Sequence, residues 1–262
     1  MKNITLFLSL FMLALTGCEQ VIDYELDEDT EKIVIEGLVT NQLGPYTVRV
    51  SKTLGYLQNG QTPGISNAEV TISDDKGNSE VLQAKENGIY QTKDLIGTIG
   101  NIYFLKVKVN GQEYTSQSYL KPVTTLDSVT YKFKEKNAET DEGYYATIYF
   151  QEPKGKGDYY RFNIWVNEEQ EDDIVAIDDE VYDGNYGDPE IDIALQKGDK
   201  LRVEMLSLDR PGYDFLRVLG TMQYYTGGPF DAPPANAPSN ISNGAIGYFG
   251  ASAATVINST VE

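Results

Sequence analysis

Histidine is absent from this chain of 262 residues, cysteine and tryptophan occur once each, and bases are scarce, with 21 Lys+Arg against 40 Asp+Glu and a net charge of −19. Each shortage excludes a chemistry. Without histidine there is no Ser-His-Asp or Cys-His nucleophile pair, no His-ligated zinc and no imidazole acid or base near neutrality. A lone cysteine forms no intramolecular disulfide and no Cys cluster for zinc or iron–sulfur. The acidic balance argues against nucleic acid, because phosphate binding needs a basic surface that displaces counterions. No nucleic-acid partner and no cofactor are therefore expected. Proteins, sugars, cations and neutral ligands remain.

Apolar runs of membrane-spanning length are also lacking. After the weakly basic Met1-Lys2-Asn3, the apolar run from Ile4 to Leu15 has 12 residues, too short to cross a hydrocarbon core of about 30 Å as a helix. It reads as a secretory leader. The sequence Leu15-Thr16-Gly17-Cys18 follows directly and resembles the lipobox of bacterial lipoproteins, a small residue before a cysteine that is acylated on sulfur, cleaved, and acylated again on its new amine. The single cysteine of the chain occupies that position. Residues 1–17 are thus expected to be removed, leaving Cys18 to anchor a water-soluble body through its acyl chains.

Residues 18–31 form an acidic tether. From Glu19 to Glu31 there are seven carboxylates and no base, and such a block repels itself and stays extended. An acidic run soon after a lipidated cysteine also resembles the surface-export signal of Bacteroidota lipoproteins. It implies an outer-membrane protein at the cell surface, the periplasmic face being the alternative.

From Lys32 onward, short alternating runs separated by Gly, Asn, Asp and Pro predict a mainly β protein. Strands are expected at 32–39, 46–52, 68–73, 80–84, 102–109 and 113–119. Asn110-Gly111 supplies the dipeptide of a type I′ hairpin. The segments Ile65 to Ile72, Gly88-Ile89-Tyr90 and Ile102 to Val107 resemble a transthyretin- or carboxypeptidase-regulatory-like domain of immunoglobulin type, which implies a β-sandwich over 32–122. Pro122 marks a boundary, and 123–262 is read as a second β-sandwich-like domain. Its strands alternate cleanly: Ala146, Ile148 and Phe150 share a face, as do Tyr160, Phe162 and Ile164. One helix is expected over 210–226, capped by Asp209, with Phe215, Leu219 and Met222 as its apolar stripe and Gly227-Gly228-Pro229 as its stop. A Pro-rich tail and a last strand pair, around Gly247 to Gly250 and 255–258, complete that domain.

The lipobox, acidic tether, immunoglobulin-like domain and helix, with Pro229-Phe230-Asp231, Pro233-Pro234-Ala235-Asn236, Ser239-Asn240-Ile241 and Gly244-Ala245-Ile246-Gly247-Tyr248-Phe249, together resemble a Bacteroidota lipoprotein family of unknown function encoded beside TonB-dependent receptors. The resemblance implies a non-enzymatic accessory subunit that catches or gates a substrate at the mouth of a TonB-dependent barrel. It carries over no catalytic residue.

Two candidate sites stand out. Glu168 to Asp192 holds 12 carboxylates and no base. This is first a solvated acidic loop; Asp178, Asp179, Asp183 and Asp188 are its candidates for Ca²⁺, which takes six to eight oxygen ligands, although the EF-hand spacing is missing. Tyr224, Tyr225, Phe230, Tyr248 and Phe249 form the candidate ligand- or partner-binding patch, because exposed aromatics present large rigid area with a polar tip. Two other functions stay open. A glycan-binding or adhesive surface lipoprotein could act without a barrel, and the many carboxylates leave room for an acid/base pair of glycosidase type.

Overall fold

The computed structural model describes residues 31–55, 60–228 and 235–262. Leu15, Thr16, Gly17 and Cys18 lie outside these residues, as do the tether through residue 30 and Phe230.

The alternation of the first part becomes β1 (Ile33–Thr40), β2 (Thr47–Lys52), β3 (Glu69–Asp74), β4 (Ser79–Val81), β5 (Gln83–Ala84), β6 (Ile89–Gln91), β7 (Ile102–Val109) and β8 (Gln112–Tyr119). One sheet contains β1, β2, β6 and β5, the other β4, β3, β7 and β8. Their inward residues, including Ile35, Val48, Val70, Ile72 and Val107, are fully buried in one core. Each such aliphatic side chain contributes about 1.5–3 kcal/mol by leaving water. The β7–β8 hairpin turns where expected, with φ of 51° at Asn110 and 77° at Gly111, the positive values a type I′ turn requires. The run expected as one strand over 80–84 divides into β4 and β5 at Leu82, whose side chain is buried and whose amide bonds the carbonyl of Val70 at 2.8 Å.

The second sandwich is built from β9 (Leu126–Lys134), β10 (Gly143–Gln151), β11 (Tyr159–Val166), β12 (Glu169–Gln170), β13 (Val175–Asp178), β14 (Tyr186–Gly187), β15 (Glu190–Leu195) and β16 (Lys200–Leu208). In one sheet β10 pairs with β9, β14 and β15; in the other β11 pairs with β12, β13 and β16. Ile148, Phe150, Phe162, Ile164, Val203 and Met205 fill the core between them, on the faces their alternation assigned.

The chain then forms the helix α1 (Arg210–Gln223) and the strands β17 (Ile246–Ser252) and β18 (Ala254–Thr260). Three expectations change here. The helix stops at Gln223, three residues before the expected end, because Tyr224 leaves helical geometry with φ −95° and ψ 3°. Its face is also rotated: Gly212 and Leu216 are the buried positions, Met222 is exposed, and Phe215 stacks on Tyr248 with centroids 5.5 Å apart.

The larger change concerns the tail, since β17 and β18 do not pair with each other. β17 runs parallel to β1, in register from Val34 opposite Ile246 to Thr40 opposite Ser252, and so belongs to the first sandwich. Alternation marks a strand and its faces but leaves the partner open, and a parallel partner can lie far away in sequence. Gly247 makes the approach feasible: its φ is +112°, and a Cβ there would lie 2.1 Å from the Ile35 carbonyl oxygen. After the buried Ala253 the chain crosses over, and β18 pairs antiparallel with β16 in the second sandwich. Ser207 holds this crossing, its hydroxyl accepting from the Ala253 amide at 2.9 Å and donating to the Lys121 carbonyl at 2.7 Å. The strands β17 and β18 therefore stitch the two sandwiches together.

Candidate functional site

Among the described residues, the four Ca²⁺ candidates of the acidic stretch, Asp178, Asp179, Asp183 and Asp188, do not gather into one carboxylate cluster. Along an extended segment, neighbours point to opposite sides, and so Asp178 and Asp179 separate. Asp178 faces α1, where its Oδ2 accepts from the Tyr213 hydroxyl at 3.0 Å. Asp179 turns inward and is 3% exposed, its Oδ2 accepting from the amides of Gly157 at 2.8 Å and Asp158 at 3.2 Å. Asp183 accepts from the Gly155 amide at 2.7 Å. Asp188 is exposed.

A different cluster forms around Asp179. Glu152, Asp158 and Asp179 each bring a carboxylate oxygen within 4.8 Å of the other two. Glu152 stands just past β10, and its side chain is 1% exposed. Oε1 accepts from the Tyr160 hydroxyl at 3.0 Å. Oε2 is buried with no hydrogen-bond partner among the described residues; an unmade bond at a buried polar atom costs about 1–3 kcal/mol, more at a charge. Burial pushes the Glu152 carboxyl up from the usual carboxylate range; the Tyr160 hydrogen bond opposes this, while Asp158, Asp179 and Asp183 add repulsion. Burial and the Glu152 charge likewise push the Tyr160 hydroxyl up. Lys121 from the inter-sandwich segment reaches the same place, its Nζ donating to Asp158 Oδ1 and the Gly157 carbonyl, both at 2.8 Å.

One signal in the sequence marked Glu152. Ala146, Ile148 and Phe150 point inward, and two residues on, the same face receives Glu152. A carboxylate continuing an apolar alternation is a buried charge. Asp158 carried no such mark, because the 153–158 loop places it.

An open cleft of about 430 Å³ adjoins the cluster, between Lys156–Gly157, Asp178–Glu180 and Arg210, Tyr213 and Arg217 of α1. Tyr159 and Tyr213 stack in it with centroids 4.7 Å apart. A second groove of about 500 Å³ opens on the β11–β16–β18 sheet. There Trp165 and Arg202 are cross-strand partners, with the guanidinium carbon 4.1 Å from the ring centroid, and Lys200, Glu168, Asn258 and Thr260 complete the lining.

The proposed aromatic patch is dispersed. Phe249 is fully buried in the first core. The Tyr248 hydroxyl donates to Asp209 Oδ1 at 2.6 Å beside Gly212, at the start of α1. Tyr224 and Tyr225 follow the other end of the helix, about 18 Å away at 1.5 Å per residue. They are 68% and 42% exposed, and the Tyr224 hydroxyl donates to Asp173 Oδ1 at 3.1 Å. The tail signatures within 239–249 do structural work instead: Asn240 donates from Nδ2 to the Phe249 carbonyl at 2.7 Å and accepts the Phe249 amide at 3.0 Å, and the Ser239 hydroxyl donates to the Ala245 carbonyl at 3.0 Å.

With two sandwiches joined by a crossing tail and a single α-helix among the described residues, the chain is a mainly β protein of sandwich class. It belongs to the family described as Domain of unknown function (DUF4249), which matches residues 19–257 and thus takes in both sandwiches. Among solved structures it is similar to a two fibronectin type-III domain segment from chicken tenascin, at 12% identity over 68% of this chain and 91% of that one, with a TM-score of 0.23. No curated protein sequence matches.

Proposed function

We propose that this protein is a lipid-anchored outer-membrane lipoprotein of the Bacteroidota, displayed at the cell surface, that serves a TonB-dependent β-barrel transporter as a substrate-binding or gating subunit and catalyses no reaction. The observation that carries the reading is a coincidence at one boundary: a 12-residue apolar run and the small residue Gly17 immediately precede the only cysteine. The family match begins one residue later, at Glu19. In this reading the mechanism is positional. Acyl chains on Cys18 hold the protein in the membrane plane, the acidic tether sets its reach, and the sandwich pair meets barrel or substrate. Confinement raises the effective concentration, so a weak contact stays occupied.

The experiment is to crosslink outer membranes, purify the acylated protein beside a Cys18→Ala control, and identify partners by mass spectrometry. A stoichiometric TonB-dependent barrel that is lost in the control is expected. Recovery of the protein alone, from membranes where it is abundant, would overturn the transporter reading. The Trp165–Arg202 groove favours a second reading, an independent glycan-binding surface lipoprotein, since an aromatic face beside fork-like and amide donors suits sugar rings.

A further inference from the structure

We propose that Glu152, Asp158 and Asp179 form a binding site for one calcium ion, which ties the end of β10 to the 153–158 loop and the turn after β13. The three carboxylate oxygens lie within 4.8 Å of one another. Calcium–oxygen distances of about 2.3–2.6 Å place opposite ligands about 4.6–5.2 Å apart, so the cluster lies within the span of a calcium shell.

Among the described residues, the hydrogen bonds and ion pairs of each carboxylate fall on one of its two oxygens. Glu152 uses Oε1 on Tyr160, Asp158 uses Oδ1 on Lys121, and Asp179 uses Oδ2 on the amides of Gly157 and Asp158. The remaining oxygen of Glu152 is the independent sign of a ligand: it belongs to a residue 1% exposed and has no hydrogen-bond partner among the described residues. A buried carboxylate oxygen is completed by a cation or a proton. Lys121 bonds Asp158 and the Gly157 carbonyl, and among the described residues Glu152 and Asp179 have no ion-pair partner within 4.0 Å. Oxygen donors alone, with no nitrogen or sulfur among them, suit a hard cation. Gly157 and Asp179 also line the open cleft of about 430 Å³, through which the ion enters and water completes its shell.

The test uses the full acylated chain in detergent, stripped with EDTA. Thermal melts are recorded with and without Ca²⁺, and Tb³⁺ luminescence is excited through tyrosine, Tyr160 being bonded to Glu152 itself. Calcium at about 100 times its dissociation constant should raise Tm by about 5–10 °C. Terbium should luminesce and be displaced by Ca²⁺. Both responses should vanish in Glu152→Gln, which keeps the shape of the side chain and removes its charge; Asp179→Asn supplies the same reading if that variant does not fold. A wild-type Tm unmoved by Ca²⁺ would overturn the site. So would an undiminished response in a folded Glu152→Gln or Asp179→Asn, which would place the ion elsewhere on the acidic surface.

Discussion

Asp209 and Tyr248, 39 positions apart, share a hydrogen bond of 2.6 Å from the tyrosine hydroxyl to Asp209 Oδ1, and this bond ties the first turn of α1 to β17 of the first sandwich. The same Oδ1 caps the helix by accepting the Gly212 amide at 2.9 Å, and Oδ2 accepts the Ser118 hydroxyl of β8 at 2.7 Å. One carboxylate thus serves a helix end and two strands. A cap contributes about 1 kcal/mol, and a hydrogen bond to a charged group about 1.5–3 kcal/mol. Asp209→Ala should cost about 3 kcal/mol and Tyr248→Phe about 2 kcal/mol in urea unfolding. Because both remove the same bond, the double variant should lose less than the sum, by about 1 kcal/mol or more. Strict additivity would show that the bond does not couple helix and sheet.

Tyr248 also predicts an alkaline response. Burial, followed by the Asp209 charge and its hydrogen bond, pushes the phenol well above its ordinary value, while Ser118 opposes. The folded chain therefore holds this proton more tightly than the unfolded chain does. The resulting stability is fully present below the ordinary tyrosine value of about 10 and is lost as pH rises through the folded value. The stability gap between wild type and Tyr248→Phe, measured by urea titration at pH 8 and pH 10.5, should narrow at the higher pH. A gap that stays constant or widens would contradict the assignment.

Gly247 carries the parallel pairing of β17 with β1. A methyl group there would meet the Ile35 carbonyl oxygen at 2.1 Å, on a backbone with φ +112° that L side chains rarely adopt. Gly247→Ala should therefore cost about 3 kcal/mol or more, since steric overlap and backbone strain act together. Gly244→Ala is the control: its φ of +74° is strained as well, but open space surrounds it. It should cost clearly less in the same unfolding experiment.

These features differ in how visible they were in the residues. The strands and turns were legible because burial on one face forces a period of two and a type I′ turn demands residues that tolerate positive φ, as at Asn110-Gly111. Asp209 was legible as a cap for the same local reason. The partner of β17 was not, since alternation in Ile246 to Ser252 is satisfied by either sandwich, and the Asn240 clasp on Phe249 that seats the tail joins side chain to backbone nine residues away. The aromatic patch dissolved on similar grounds: Tyr248 and Phe249, adjacent in sequence, face opposite sides of one strand. The acidic site was half legible. Glu152 continues an inward apolar series, whereas its partners come from two loops whose approach only the tertiary fold sets.

Trp165 is the single tryptophan in the chain, so fluorescence excited at about 295 nm reports on the β11–β16–β18 groove alone. Arg202 lies over its ring at 4.1 Å and contacts Glu204 at 3.6 Å. A cation–π contact at a half-open site contributes about 0.5–1 kcal/mol, so Arg202→Ala should leave the fold intact, cost no more than about 1 kcal/mol, and change the emission of Trp165. If the groove takes a sugar, a ring stacking on the indole must displace water and perturb the same emission. Soluble oligosaccharides from a polysaccharide panel should then quench or blue-shift Trp165 in a saturable manner, with weaker binding in Arg202→Ala. Emission unaffected across the panel, in a protein whose Arg202→Ala variant does shift, would remove the glycan reading of this groove and leave the surface to a protein partner.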